Sequence, residues 1–154
     1  MNAISPYYKV RQCCHVAVPI PVGNGTVYAT ALTDSHSGTN STELGIFFDP
    51  QWKSASHIPE ISIIVDWPDL GVLPLYEYRT LAYTGKMMLE RFKRMSIGCI
   101  GAHGRTGTYL AGLLIVCENL SAKEAIVETR RRLCSRCIES QKQINLIHSL
   151  AKHK

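Results

Sequence analysis

The sequence predicts an α/β fold: a central, mostly parallel sheet of four or five strands flanked by helices. Short apolar runs rich in β-branched residues fill the first half of the 154-residue chain, and helical periodicity fills the second half. A glycine-rich loop joins the last predicted strand to an apolar helix, which is typical of a parallel sheet covered by helices. With 45% hydrophobic and 19% charged residues, the composition excludes a disordered or low-complexity chain. We expect one domain over residues 1–154.

Five apolar runs are predicted as strands. They are Cys14–Ile20, Thr26–Leu32, Gly45–Phe48, Ile61–Val65 and Arg94–Gly98. The Gly23-Asn24-Gly25 signal between the first two predicts a β-hairpin. The ten residues Thr33–Thr42 are almost all small and polar, so they are predicted to form a surface loop.

Four segments have helical patterns. They are Leu75–Met95, Arg105–Leu120, Ser121–Leu133 and Ser140–Ala151. The first carries its apolar residues on one face and is interrupted by Gly85. The second is apolar on nearly every side, which predicts a helix enclosed by its neighbours. The third opens with Ser121 and Glu124, which form a capping-box pattern.

The net charge of +5 is unevenly distributed along the chain. Residues 1–78 hold 3 Lys/Arg against 7 Asp/Glu, and residues 79–154 hold 14 against 5, so the two parts carry −4 and +9. The basic part favours anionic ligands such as phosphates. Its run Arg130–Arg132, with Arg136, is interpreted either as a solvated helix face or as a surface that steers phosphorylated substrates.

No segment is predicted to cross a membrane. The longest apolar stretch, Tyr109–Cys117, is too short to span a bilayer. The first ten residues lack the pattern of a secretory signal. We therefore expect a cytoplasmic protein without membrane contact.

The six cysteines, at positions 13, 14, 99, 117, 134 and 137, are interpreted as thiols. Cys134 and Cys137 could form a zinc site with Cys13, Cys14 and His15, but adjacent cysteines have poor ligand geometry and the set lacks a second spaced pair. The prediction is therefore no metal and no cofactor. A thiol that traps an oxidised Cys99 as a disulfide is a chemically reasonable alternative use of these residues.

The residues that carry chemistry lie between Gly98 and Thr108. Four of the 11 glycines fall at positions 98, 101, 104 and 107, where the last strand passes into the apolar helix. Glycines let such a loop turn tightly and direct successive backbone N–H groups inward, and the helix that follows adds its positive end. A loop of this kind binds a tetrahedral dianion such as phosphate.

Cys99 and Arg105 begin and end this loop. The N–H groups and helix N-terminus that would bind phosphate also stabilise a thiolate at Cys99, which makes the sulfur a nucleophile. The planar guanidinium of Arg105 can bind two phosphate oxygens at once, which a lysine cannot do.

The pattern Cys, five residues, Arg and then Thr resembles the phosphate loop of the cysteine-dependent protein tyrosine phosphatase superfamily. Trp67-Pro68-Asp69, about thirty residues upstream of Cys99, resembles the mobile acid loop of that superfamily. The segment Ile138–Gln143 resembles its late segment that ends in a glutamine near the active site. The similarity spans Ile61 to Leu150, and the short chain favours a compact, dual-specificity-like catalytic domain.

The resemblance implies a role for each matching residue. Cys99 would attack phosphorus and carry a phosphocysteine intermediate, and Arg105 would bind the phosphoryl oxygens. Asp69 would protonate the leaving group and then deprotonate the hydrolytic water. Thr106 would hydrogen-bond to the sulfur, and Gln143 would orient the water. The backbone that would line the phosphate site belongs to Ile100, Gly101, Ala102, His103, Gly104 and Arg105.

Two loop positions depart from the family pattern. Gly98 stands where the family usually has histidine, so one contact around the thiolate is lost. Ala102 stands where glycine is common, so its Cβ either fits the loop or narrows access for the substrate.

Each candidate also has a simpler interpretation. Asp66 competes with Asp69 for the acid role, although Asp69 falls on the family position, and an aspartate after proline is common in turns. Thr106 could cap the helix, and Gln143 could be a solvated helix residue. His103 either touches the substrate at the rim or is an exposed loop residue.

The predicted function is hydrolysis of phosphomonoesters on protein tyrosine, or on both tyrosine and serine/threonine, by a monomeric enzyme. Phosphoinositide and RNA 5′-phosphatase activities are alternatives with the same chemistry. The loop has no lysine for an inositide headgroup, and RNA would need a longer basic groove with stacking aromatic residues. A phosphate-binding module without turnover would not need Cys99, Asp69 and Arg105 together. Arsenate reductases are a remote alternative, because their loop lies near the N-terminus and has no Trp-Pro-Asp partner.

Overall fold

A computed structural model describes residues 19–32, 42–55 and 58–154 of the chain. Its strands are β1 (Pro19–Val22), β2 (Gly25–Ala31), β3 (Leu44–Phe47), β4 (Ile61–Ile64) and β5 (Arg94–Cys99). Its helices are α1 (Leu75–Phe92), α2 (Gly104–Glu118), α3 (Ala122–Arg132) and α4 (Gln141–Lys152), and a short 3-10 helix covers Pro50–Ser54. The strands form one five-stranded sheet in the order β1-β2-β5-β3-β4. The predicted α/β fold is confirmed.

The sheet is parallel except at β1. β1 and β2 pair antiparallel, with Pro19 opposite Tyr28, and the other three pairs are parallel. The hairpin predicted at Gly23 is confirmed, and the φ of +55° at this residue is one that glycine adopts without strain. Residues 14–18 of the first predicted strand lie outside the described residues.

The surface loop predicted for Thr33–Thr42 is described only at its last residue. Residues 33–41 lie outside the described part of the chain. Thr42 is buried rather than exposed, and its hydroxyl is 2.6 Å from the hydroxyl of Ser96 in the central strand. The prediction of an exposed loop therefore fails at Thr42, where the polar side chain is buried with a hydrogen-bond partner.

β5 lies in the middle of the sheet, between β2 and β3. Because β3, β4 and β5 run parallel, their carboxyl ends meet at one edge of the sheet, where ligands bind in folds of this class. The segments that follow these strands begin at Phe48, Val65 and Ile100. The candidate residues that follow β4 and β5, Asp69 and the loop before Arg105, therefore come together at this edge.

α1 and α2 pack through two glycines that each receive a tyrosine of the other helix. A Cβ on Gly85 would collide with the hydroxyl of Tyr109, which donates to the carbonyl of Leu81 at 2.8 Å. A Cβ on Gly112 would lie 2.7 Å from the hydroxyl of Tyr78. The interruption predicted at Gly85 is thus a site of close helix packing and does not break α1.

The predicted end of the first helix was too late. α1 ends at Phe92, because Lys93 adopts the left-handed conformation with a φ of +65°. Met95 lies in β5 and is fully buried in the sheet. Met95 continues the helical spacing by coincidence, because a buried strand residue can fall at a position that also fits a 3.6-residue period.

The other helix predictions are confirmed. α2 is buried at every residue from Gly104 to Val116. α3 and α4 begin after Ser121 and Ser140, and each serine takes part in a complete capping box with the third residue of its helix. No described helix is long and apolar enough to span a bilayer.

The arginine run of α3 binds mainly to other parts of the protein. Arg132 donates two hydrogen bonds to Glu118, at 2.8 and 2.9 Å. Arg130 donates to the carbonyl oxygens of Cys137 at 3.1 Å and Ile138 at 3.3 Å. Arg131 pairs with Glu128 at the surface. Two of these three guanidinium groups therefore connect elements of the fold.

Candidate active site

The loop between β5 and α2 follows the buried Cys99 and contains one non-glycine residue in a left-handed conformation. Ala102 has a φ of +58° and is fully buried. Its Cβ fits the loop interior, although the left-handed conformation is unfavourable for alanine by about 1–2 kcal/mol. The departure from glycine at this position is thus accommodated in space.

Thr106 lies beside the sulfur of Cys99. Its hydroxyl donates to the Cys99 Sγ at 3.1 Å, and both residues are buried. The N-cap of α2 is His103, which makes no side-chain cap hydrogen bond. The geometry therefore suits the role at the sulfur that the family resemblance implies for Thr106, rather than helix capping.

The side chain of Arg105 is 97% buried, and its guanidinium is held through one nitrogen. Nη1 donates to the carbonyl oxygens of Phe48 at 2.9 Å and Trp67 at 2.8 Å, and to the carboxylate of Asp49 at 2.9 Å. Nη2 lies 3.6 Å from the carboxylate of Asp69. Nε is buried and has no hydrogen-bond partner among the described residues. Nε and Nη2 are the nitrogens with donors available for an oxyanion.

Asp49 is a site residue that the sequence reasoning missed. One oxygen accepts from Arg105, and the other accepts from the backbone N–H of Gln51 at 2.9 Å, where Asp49 caps the 3-10 helix. An aspartate directly after a buried parallel strand is a signal that could have found it. However, the Asp-Pro dipeptide that it forms with Pro50 is also typical of an ordinary turn, which hides this signal.

The candidate acid loop, residues 66–71 and called the acid loop below, approaches Arg105 through Asp69. The indole of the buried Trp67 donates to the carbonyl oxygen of Gly71 at 2.9 Å, which closes the loop on itself. The Asp69 side chain is 75% exposed, and it accepts from the N–H of Leu70 at 3.0 Å. Between the two rival acids, Asp69 is the one whose carboxylate faces the guanidinium.

Gln143 lies next to the phosphate loop but is occupied by protein contacts. Its Oε1 accepts from the N–H groups of Glu139 at 2.8 Å and Ser140 at 3.3 Å. Its Nε2 donates to the carbonyl oxygen of Gly71 at 3.4 Å. It is fully buried, so it is not the solvated residue of the simpler interpretation. Its proposed role in orienting water stays a prediction.

Glu139 is another residue near the loop that the sequence reasoning did not single out. A Cβ added to Gly104 would collide with the Glu139 carboxylate and would lie 3.2 Å from Nε2 of Gln143. Gly104 therefore permits the segment before α4 to approach the start of α2. The signal in the sequence was the Ile138–Gln143 resemblance, but it pointed only to the glutamine.

Gly98 is explained first by the backbone of Thr30 in the neighbouring strand β2 and then by the side chain of Trp52. A Cβ at position 98 would lie 2.5 Å from the carbonyl oxygen of Thr30 and 3.0 Å from the Trp52 ring. The Trp52 indole donates to the carbonyl oxygen of Cys99 at 3.3 Å and stacks on Phe47 with ring centroids 4.2 Å apart. The space that the family's histidine would need is therefore filled.

Among the residues that the structure describes, the cysteines do not form a metal-binding arrangement. Cys99, Cys117, Cys134 and Cys137 are thiols, and among the residues that the structure describes no three His, Cys, Asp or Glu side chains group to hold a metal ion. The proposed partners Cys13, Cys14 and His15 lie outside these residues. His103 is half-buried, and its buried Nε2 has no hydrogen-bond partner within residues 19–32, 42–55 and 58–154.

Solved structures share this architecture. Tk-PTP in its active form aligns with a TM-score of 0.67 and 18% identity, covering 84% of this chain and 94% of its own. The kinase associated phosphatase, with its catalytic-site cysteine replaced by serine, aligns with a TM-score of 0.70 and 16% identity, covering 90% and 96%. This chain has the protein tyrosine phosphatase fold. The predicted phosphatase resemblance is confirmed at the level of this fold.

A third structure with the protein tyrosine phosphatase fold is PTPMT1 in complex with PI(5)P. It aligns with a TM-score of 0.62 and 16% identity, covering 82% of this chain and 90% of its own. No family model matches the sequence, and no curated protein matches it. The likeness is therefore one of backbone architecture at low sequence identity.

Proposed function

We propose that this protein hydrolyses phosphomonoesters of protein tyrosine, and also of serine and threonine, through a phosphocysteine intermediate. The observation that carries the proposal is the convergence of three groups at one edge of the sheet. Thr106 contacts the Cys99 sulfur at 3.1 Å, the Arg105 guanidinium is buried, and the Asp69 carboxylate lies 3.6 Å from that guanidinium. Nucleophile, oxyanion ligand and acid are the groups that a two-step phosphoryl transfer requires.

In the first step, the substrate phosphoryl group binds in the loop, and Nε and Nη2 of Arg105 donate to two of its oxygens. The thiolate of Cys99 attacks phosphorus, so an S–P bond forms as the bond from phosphorus to the leaving oxygen breaks. Asp69 transfers its proton to that oxygen and becomes a carboxylate. The alcohol or phenol departs.

In the second step, the Asp69 carboxylate takes a proton from a water molecule whose oxygen attacks phosphorus. The S–P bond breaks, inorganic phosphate leaves, and the thiolate of Cys99 is restored. The hydroxyl of Thr106 donates to the sulfur as its negative charge returns, which makes the sulfur a better leaving group. Asp69 ends the cycle protonated, ready for the next substrate.

Phosphoinositides are the second candidate substrates, because PTPMT1, solved with PI(5)P, has the same fold. Residues 100–104 of the loop contain no lysine, so the loop offers no ammonium group to neutralise additional phosphates on an inositol ring. This absence supports a phosphoprotein substrate over an inositide.

The substrate class is tested with the wild-type protein on four phosphomonoesters. These are a phosphotyrosine peptide, a phosphoserine peptide, vesicles containing PI(5)P, and an RNA with a 5′-phosphate. We expect the highest kcat/KM on the phosphotyrosine peptide, with measurable phosphate release from the phosphoserine peptide. A higher kcat/KM on the vesicles or on the RNA would overturn the proposed substrate class while leaving the chemistry in place.

The nucleophile is tested with Cys99→Ser, which should abolish turnover while phosphopeptide binding is retained. Arg105→Lys should lose most activity, because an ammonium cannot replace the two-pronged guanidinium contact. Cys117→Ser, at the far end of α2, is the matched control and should keep its activity. Unchanged turnover in Cys99→Ser would reject the mechanism.

The general acid is tested through the leaving group. Asp69→Asn should reduce kcat on a phosphotyrosine peptide by about 100-fold or more, since general acid catalysis contributes ~10²–10⁴-fold. It should affect p-nitrophenyl phosphate far less, because nitrophenolate departs without a proton. An equal loss on both substrates, or a leaving-group-dependent loss in Asp66→Asn instead, would assign the acid role elsewhere.

A further inference from the structure

We propose that Ser140, through its hydrogen bond to the acid loop, is a positioning residue that sets the place of the general acid. The hydroxyl of Ser140 donates to the carbonyl oxygen of Leu70 at 3.0 Å, across 70 positions of sequence. Leu70 directly follows Asp69. The inference rests on the proposed function, because it requires Asp69 to act as the acid.

The tip of the acid loop is a tight turn with little apolar anchoring of its own. The N–H of Gly71 donates to the carbonyl oxygen of Pro68 at 3.0 Å, and Leu70 adopts a φ of +56°. The side chain of Leu70 is one of the exposed large hydrophobic groups, 55% exposed. A non-glycine residue in the left-handed region persists only where surrounding contacts hold it.

Besides the Trp67 indole, which donates to the carbonyl oxygen of Gly71, those contacts come from the start of α4. Ser140 donates to the carbonyl oxygen of Leu70, and Gln143 donates to that of Gly71 at 3.4 Å. Two successive carbonyl groups of the acid loop therefore accept from one helix cap. The Ser140 hydroxyl uses its proton for the loop and a lone pair for the N–H of Gln143, at 3.3 Å.

The cap that makes these contacts is itself held in place. Gln143 is fully buried, and Arg130 donates to the carbonyl oxygens of Cys137 and Ile138, just before the cap. Ile138 is buried, with a φ of +66°. The segment before α4 is therefore a fixed support, and the acid loop is the part whose position depends on it.

Asp69 depends on this support because its own side chain has few contacts. The carboxylate is 75% exposed, accepts from the N–H of Leu70, and lies 3.6 Å from Arg105. A general acid must be within hydrogen-bond reach of the leaving oxygen. A backbone shift of about 1 Å at Leu70 would carry the carboxylate out of that reach, and displacements of this size reduce rates strongly.

The chain contains a matched control in Ser121. This serine also caps a helix and completes a capping box, with the N–H of Glu124 donating to its hydroxyl at 3.2 Å. Its capping role is the same as that of Ser140, but it lies at the start of α3, far along the sequence from the acid loop. Replacing Ser121 removes only a helix cap, whereas replacing Ser140 removes a cap and the contact with the acid loop. The two replacements can therefore be compared directly.

The test is Ser140→Gly against Ser121→Gly, because glycine at an N-cap costs only a few tenths of a kcal/mol relative to serine. In Ser140→Gly we expect kcat on a phosphotyrosine peptide to fall about 5- to 10-fold, as the loss of one hydrogen bond predicts. KM and the kcat on p-nitrophenyl phosphate should stay within about twofold, since the acid is not needed there. Ser140→Thr keeps the hydroxyl and should restore the peptide rate.

Three outcomes would overturn the proposal. These are an equal loss of Ser140→Gly on both substrates, no loss on the peptide, and the same loss in Ser121→Gly. The first would indicate general disruption of the site, and the other two would show that the hydrogen bond to Leu70 does not set the position of the acid.

Hydrogen exchange separates this inference from the proposed function. Amides of residues 66–71 should exchange faster in Ser140→Gly than in the wild type and in Ser121→Gly, a result that needs no turnover. Unchanged exchange at these amides would overturn the positioning role whatever the activity. If exchange increases but the wild type hydrolyses none of the phosphomonoesters, the contact is supported and the proposed function fails.

Discussion

Arg105 is oriented by the protein through a single nitrogen. Nη1 has three acceptors, of which the carboxylate of Asp49 is the charged one. Asp49 is in turn fixed by the N–H of Gln51. A guanidinium held in this way keeps its plane, so under the proposed mechanism little ordering is required when a phosphoryl group binds to Nε and Nη2.

Asp49→Asn is expected to lower kcat/KM on a phosphotyrosine peptide by about 10- to 100-fold, because a small displacement of a catalytic group has an effect of this size. Asparagine still caps the 3-10 helix, so the change removes the charge rather than the cap. Steady-state kinetics check this, with the exposed Glu60→Gln as a control. Full activity in Asp49→Asn would show that the two carbonyl acceptors suffice to orient Arg105.

At the scale of elements, α1 and α2 approach closely because each presents a glycine to a tyrosine of the other. Burial raises the pKa of Tyr78 and of Tyr109 well above the ordinary value, so both hydroxyls stay protonated. Each then donates to a backbone carbonyl of the opposite helix, Tyr78 to Thr108 and Tyr109 to Leu81. Because Thr108 belongs to the first turns of α2, this packing also fixes the helix that begins at the phosphate loop.

Gly85→Ala should destabilise the protein, although the same change in an open helix stabilises by about 1 kcal/mol. The added Cβ would collide with the Tyr109 hydroxyl and would lie 2.7 Å from Cδ2 of Leu113. We expect the free energy of unfolding to fall by about 1–3 kcal/mol, which is the usual cost of overpacking a core. Urea unfolding measures it.

Tyr109→Phe provides the second arm of that experiment, because it removes the hydroxyl with which the new Cβ collides. Gly85→Ala should therefore cost less in a Tyr109→Phe background than in the wild type. Equal costs in the two backgrounds would mean that the hydroxyl is not the obstacle.

Across the whole molecule, the pair of Arg132 and Glu118 joins three parts of the fold. Arg132 lies on α3, Glu118 ends α2, and Glu118 also accepts from the N–H of Gly23 in the β1–β2 turn at 3.1 Å. Arg132 further donates to the carbonyl oxygen of Pro21 at 2.8 Å. Arg132, one residue of the run that the sequence offered for substrate steering, thus attaches the hairpin to the helices.

We expect this network to make the stability of the protein depend on pH in the acid range. Hydrogen bonds from Arg132 lower the pKa of Glu118 below its ordinary value of 4.5. Hydrogen bonds from Arg131, followed by those from Arg132, lower the pKa of Glu128 to about 2. A carboxyl with a lowered pKa in the folded state stabilises fully above its ordinary pKa and loses that contribution as pH falls through the folded value. The loss therefore begins below pH 4.5.

Glu118→Gln should be less stable than the wild type at pH 7 and should lose less of its stability between pH 5 and pH 3. The reason is that the glutamine has no proton to take up on unfolding in acid. Urea unfolding at several pH values measures, for each protein, the slope of the free energy of unfolding against pH. Parallel slopes for the two proteins would contradict the assignment of the acid sensitivity to Glu118.

Local patterns in the sequence determined the fold class and the parts of the site that lie close together along the chain. Short apolar runs rich in β-branched residues predicted the strands, the capping-box pattern of Ser121 and Glu124 marked one helix start, and the Cys99–Thr106 spacing marked the candidate phosphate loop. These features are carried by residues within about one turn or one strand of each other, so the pattern itself contains the geometry.

Tertiary structure alone decided the contacts that orient those parts. Trp52 binds Cys99 across 47 positions, Asp49 binds Arg105 across 56, and Ser140 binds Leu70 across 70. At such separations the spacing of two residues carries no information about their distance, because it is the parallel pairing of the strands and the packing of the helices that bring them to one edge of the sheet.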